Sequence, residues 1–138
     1  MEINKELLDG LLAEAKENPR LRQNFDLRTS SADTSQRMLN ALQPQTEVPI
    51  HRHENTAETV ICLVGKLEEI IYEEVNEYVH EATSCCDDVI RQKSFKEVSR
   101  QILSPAEGKF GIQIPAGAWH TINVIEPSVI FEVKDGAY

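Results

Sequence analysis

The chain has 138 residues, 41% of them hydrophobic and 27% charged, and its 14 Lys and Arg against 23 Asp and Glu leave a net charge of −9. That length suits one soluble domain with a true core, and an acidic balance with no basic patch argues against nucleic acid or an anionic membrane surface as a partner. No apolar run approaches the roughly 18 residues of a membrane span, and the start Met1-Glu2-Ile3-Asn4-Lys5-Glu6 is not a signal peptide, so a cytoplasmic address is expected.

In chain order, Asn4 is placed to cap a helix over roughly 4–17, with Leu7, Leu8, Leu11, Leu12 and Ala15 on one face. Pro19 stops it. Such a stripe is a packing face for the rest of the domain or for a partner subunit. A polar connection from Pro19 to Asp33 carries Arg20, Arg22, Phe25 and Arg28. Strands are then expected at roughly 36–43, 47–53, 58–64, 66–73, 97–103, 110–115, 119–125 and 128–134. Turn signals separate many of them: Pro44, Gly65, Pro105 to Gly108, Pro115 to Gly117, and Glu126-Pro127. Many short strands and one helix imply an all-β sandwich or barrel. The chain divides into an N-terminal helix and arm (1–34) and a β-barrel (35–138). Residues 74–95 break the rhythm with an acidic stretch lacking clean alternation, expected as an exposed loop or short hairpin extension, with a lid over the barrel mouth as the alternative.

Three cysteines exclude an internal disulfide framework. Cys85 and Cys86 are vicinal, and Cys62 sits in an apolar strand as a buried structural thiol. Cys62 shares alternation with Glu58 and Val60, which also allows it to line the barrel.

Four metal-type side chains stand out. His51 and His53 are two apart, so on a strand both imidazoles point to one face. Glu58 opens the run Val60-Ile61-Cys62-Leu63-Val64 that ends at Gly65, and a hairpin there returns its carboxylate to the imidazoles. His120 follows the Pro115-Ala-Gly117 turn and can enter from a further strand. This pattern resembles the two motifs of the cupin superfamily. The first is matched by His51, His53, Glu58 and Gly65, with six residues between Glu58 and Gly65; the second by Pro115, Gly117 and His120. Gln45 stands where the first motif begins with Gly, and Gly108 and Asn123 each fall one residue early for the second. Those positions shape turns rather than bind an ion. Gln36-Arg37-Met38-Leu39-Asn40-Ala41-Leu42-Gln43-Pro44 and Phe131-Glu132-Val133-Lys134-Asp135-Gly136-Ala137-Tyr138 are similar to the WbuC-type cupin metalloproteins, often encoded with surface-polysaccharide biosynthesis genes.

The resemblance implies a cupin double-stranded β-helix, a jelly-roll barrel with one N-terminal α-helix, and commonly a homodimer. It also implies one divalent metal held by His51, His53, Glu58 and His120. Three imidazoles and a carboxylate suit Zn, Fe, Mn or Ni about equally. A divalent ion with one carboxylate leaves a net positive site, which favours a small anionic or sugar-like ligand. Arg37, Asn40 and Lys134 are candidate substrate-binding residues, Arg37 through a bidentate contact. Alternation places Arg37 and Asn40 on opposite faces, so at most one of the two points inward from a regular strand. Glu132 is the nameable candidate for a catalytic base, and Trp119, of opposite parity to His120, is expected to pack outward. Two function classes follow. One is a metal-dependent enzyme, such as a carbohydrate or sugar-nucleotide isomerase or epimerase, or with Fe(II) a dioxygenase. The other is a metal-dependent small-molecule binding or regulatory module.

Overall fold

The computed structural model describes residues 1–82 and 87–136. Among these, helix α1 (Lys5–Glu17) is followed by strands β1 (Arg22–Asp26), β2 (Ser35–Leu42), β3 (Glu58–Ala82), β4 (Asp87–Leu103), β5 (Gly111–Ile114) and β6 (Trp119–Asp135), with a 3-10 turn at Pro105–Glu107.

The Asn4 side-chain oxygen accepts from the Leu7 N–H at 3.0 Å, satisfying a donor that the first helical turn leaves open. Leu11 and Ala15 are buried against Leu39, Ala41 and Val129, with Leu7, Leu8, Leu12, Phe25 and Phe131 closing the layer. The leucine stripe therefore lies on the chain's own sheet. No described helix is long and apolar enough to cross a membrane.

The sheet is antiparallel in the order β1-β2-β6-β3-β4, with β5 paired to β3. β3 runs along β6 from Glu58↔Lys134 to Tyr72↔Trp119. At its start it also holds β5, through Glu58↔Ile114; from Leu67 onward it holds β4 instead. This change of partner curls the sheet around a core of Leu42, Val60, Cys62, Leu67, Leu103, Ile114, Val124 and Ile130. The result is an all-β jelly roll with one N-terminal helix.

The strands expected at 58–64 and 66–73 are one strand, bent by register shifts between Cys62 and Leu67. Gly65, with φ +96°, sits in the bend. The shifts also change which residues face inward: Glu58, Val60 and Cys62 before it, Leu67 and Glu69 after it, all buried.

Two stretches differ from expectation, and a third takes the hairpin form. Residues 47–53 form no ladder; the isolated bridge His51↔His120 and the bond from the Thr121 hydroxyl to the Val48 carbonyl tie them to β6, and Pro49 has no N–H to contribute. The polar connection contains β1, whose register with β2 runs from Arg22↔Leu42 to Asp26↔Met38. Residues 74–82 and 87–95 are paired strands, in register as far as Ala82↔Asp87. Cys85 and Cys86 lie outside the described residues. Cys62 is buried in the apolar core, donates weakly to the Val64 carbonyl, and burial pushes its thiol up to about 11. That environment makes it inert packing.

Candidate metal centre

The interior is divided. One end is apolar; the other collects His51, His53, His120, Glu58, Glu69, Glu132 and Lys134. His51 and His120 are locked to each other by paired backbone bonds, His51 N–H to the His120 carbonyl at 3.0 Å and the reverse at 2.8 Å. The Gly117 N–H donates to the His53 carbonyl at 2.7 Å, so the Pro115-Ala-Gly117 turn holds the segment that bears both imidazoles. The ring centroids of His51 and His120 are 4.2 Å apart, those of His51 and His53 5.4 Å, and those of His53 and His120 5.8 Å.

One ligand atom from each of these three imidazoles lies within 4.8 Å of the others. Two ligands of one ion at about 2.1 Å are separated by at most about 4.2 Å, close to the observed spread. Glu58 stands beside one of them, its Oε2 2.9 Å from the His53 Nε2, while the cluster that closes within 4.8 Å is the three imidazoles.

Tautomers agree. The Nδ1 atoms of His51 and His120 lie 2.8 Å from the Pro49 carbonyl and 2.9 Å from the Ala118 carbonyl. A carbonyl only accepts, so each Nδ1 carries the proton and each Nε2 keeps its lone pair. Burial pushes His120 down to about 4, the cationic tendency of His51 and His53 adding to it against the bond to the Ala118 carbonyl. Burial, then His51 and Lys134, also lowers His53. These two imidazoles are neutral at pH 7, as ligation requires.

Three carboxyls crowd the same end. Burial, then Glu58 and Glu132, holds Glu69 well above the carboxylate range. Burial and then Glu58 push Glu132 up to about 8, against a hydrogen bond from Asn40. Such a cluster is what a divalent cation would compensate, so the donor set, its tautomers and its surroundings all fit a metal.

The other sequence-selected residues separate. Asn40 and Glu132 line a cavity of about 280 Å³ whose wall includes His51. Lys134 is buried with its Nζ 2.6 Å from the Gly136 carbonyl. Arg37 is committed elsewhere, with Nη2 2.9 Å from Asp33 and Nη1 on the Ser35 carbonyl. Trp119 packs on Phe95 at 4.9 Å, flanked by Arg52 and Lys93 at 4.6 and 4.7 Å from its ring. Sequence reasoning missed Glu69, whose inward position depends on the bend at Gly65, and the cavity positions of Arg20 and Arg22, which arrive with β1.

A family described as Domain of unknown function (DUF6016) matches residues 3–83, more than half of the chain. The chain belongs to the DUF6016 family. No curated protein matches it. Among solved structures, this DUF6016 chain is similar to TT1209 from Thermus thermophilus, at 20% identity and a TM-score of 0.58, over 99% of this chain and 98% of that one. It is similar to KdgF from Halomonas sp., at 14% and 0.56 over 85% and 80%. The capsular polysaccharide assembling protein CapF from Staphylococcus aureus matches at 17% and 0.53, over 88% of this chain. The DUF6016 chain spans only 29% of CapF's length. These likenesses establish the cupin fold.

Proposed function

We propose that the protein is a WbuC-type cupin metalloprotein in which His51, His53, Glu58 and His120 hold one divalent ion (Zn, Fe, Mn or Ni), and that it is an enzyme acting on a small polar or anionic substrate. The observation that carries this reading is the convergence of three imidazoles within 4.8 Å, with the Glu58 carboxylate 2.9 Å from one of them. When bound, the ion supplies Lewis acidity to a substrate oxygen. The chain's own residues do the rest. Glu132, beside Glu58 and hydrogen-bonded by Asn40, is the group placed to give or take a proton, and Asn40 orients it. Lys134 contributes positive charge opposite Glu58 in register. Isomerase or epimerase chemistry on a carbohydrate or sugar nucleotide fits a proton carrier beside a polarised oxygen, and the capsular polysaccharide role in CapF's description supports that direction.

The test is a screen of sugar nucleotides and keto acids with protein before and after chelation. Metal-dependent turnover is expected, with Glu132→Gln lowering kcat by about 10²–10⁴-fold at unchanged metal content. Turnover indifferent to chelation would sink the reading; metal-dependent binding without turnover would install the non-catalytic module in its place.

A further inference from the structure

Arginine in this chain normally has a carboxylate. Arg28 holds Asp26 at 2.9 Å, Arg37 holds Asp33 at 2.9 Å, Arg52 holds Glu54 at 2.9 Å, and Arg100 holds Glu97 at 2.6 Å and Glu68 at 3.3 Å. Among the described residues, Arg20 and Arg22 have no such partner, although the chain's net charge is −9. Both line the cavity that His51 borders, together with Asn24, Asn40 and Glu132.

Their placement is built. The Thr46 hydroxyl donates to the Arg20 carbonyl at 2.6 Å, the Gln43 N–H donates to the Leu21 carbonyl at 2.9 Å, and the Arg22 Nη1 donates to the Glu47 carbonyl at 2.7 Å. Leu21, between the two arginines, is held in the left-handed region at φ +57°, a conformation a branched side chain adopts only when its surroundings impose it. Two like charges are thus fixed beside one cavity, where burial and then Arg20 disfavour the charge on Arg22.

We propose that Arg20 and Arg22 form an oxyanion-recognition pair, so that the ligand is a small organic acid whose carboxylate or phosphate lies on the two guanidiniums while a second oxygen faces His51. Guanidinium forks bind such oxyanions by paired hydrogen bonds. The cavity's 280 Å³ is about nine water volumes at roughly 30 Å³ each, room for an acid of about ten non-hydrogen atoms. Asn24 and Asn40 offer amides to its hydroxyl or carbonyl groups. The chain's remote carboxylates are screened over about 10 Å at 0.1 M salt, so the pair governs the sign of the local field. The contact to His51 rests on the metal reading; the contact to the arginines does not.

The experiment is calorimetric titration of L-malate, inorganic phosphate and neutral xylitol into metal-loaded protein, chelator-treated protein and the Arg20→Gln/Arg22→Gln variant. Malate should bind more tightly than xylitol, and the double variant should weaken malate and phosphate at least tenfold while keeping wild-type metal content. Arg20→Lys/Arg22→Lys, retaining charge without the fork, should fall between. Exposed Arg20 changed alone to Gln gives the same reading without risk to the fold. Wild-type affinity for malate and phosphate in the Gln variants, or tighter binding of xylitol than malate, would overturn the proposal. Equal malate affinity before and after chelation, with the arginine dependence intact, would remove the contact at His51 and leave the arginine pair standing.

Discussion

Gly65→Ala is expected to destabilise the protein by about 2–5 kcal/mol, a large part of the 5–15 kcal/mol typical of a domain. Two costs combine. Gly65 sits at φ +96°, where a side chain costs roughly 1–2 kcal/mol, and a Cβ there would lie 2.2 Å from the Pro127 carbonyl oxygen and 2.7 Å from the Ser128 Cα. Both are backbone atoms, so relief requires moving the strand, at about 1–3 kcal/mol. Ser128 cannot yield easily either: its hydroxyl accepts from the Lys66 N–H at 3.0 Å and donates to the Glu126 carbonyl at 2.7 Å. Gly108→Ala is the control. Its φ is +76° but nothing lies within 4 Å of the added Cβ, leaving the conformational cost alone, roughly 1–2 kcal/mol. Urea denaturation of the two variants reads the difference; equal losses would show that the strands do not meet closely at Gly65.

Raising the pH from about 6.5 to 8 is expected to destabilise the metal-free protein, and Glu132→Gln to recover about 2 kcal/mol of that loss. The unfolded chain releases this proton near the ordinary glutamate value of about 4.3, whereas the folded protein keeps it to about 8. Between those values the native state binds more protons than the unfolded one, so stability falls by about 1.4 kcal/mol per pH unit and levels off above the folded value. Glu69, also raised, adds to the fall. His120 acts at the other end: with its folded pKa down to about 4, it resists a proton that the unfolded chain takes up below about 6.5, and stability is lost as the pH drops through that window. Above 6.5 the carboxyls dominate. Denaturation in chelator at pH 6.5 and 8.0 measures the slope, and identical slopes in wild type and Glu132→Gln would show that Glu132 titrates normally.

The metal-type residues were legible because their spacing is tied to backbone geometry. His51 and His53 share a face at any extended stretch, and the Pro115-Ala-Gly117 turn sets His120 beside them whether or not 47–53 forms a ladder. The leucine stripe of α1 was legible for the same kind of reason, a helical period facing one layer. Glu69 was not, because alternation counted forward from Glu58 predicts even-numbered inward residues, and the register shifts around Gly65 change them to odd. β1 was hidden by its composition: Arg22-Gln-Asn-Phe-Asp26 is an edge strand with one large apolar side chain, so no hydrophobic alternation marks it. With it went the cavity roles of Arg20 and Arg22, while Arg37, on a strand that was recognised, turned to Asp33. The far parts of β3 and β4 pair beyond the core, where neither face is required to be apolar, so 74–95 carries no strand period in its sequence.

Metal content tests most directly whether His51, His53, Glu58 and His120 hold one ion. Protein supplied with Zn, Fe, Mn and Ni salts, desalted and analysed for all four, should carry about one divalent ion per chain. The His51→Ala/His53→Ala variant, with its circular dichroism and thermal melt confirming the fold, should carry none. A folded double variant with full metal occupancy, or a wild-type protein that retains no divalent metal under any of these conditions, would contradict the account.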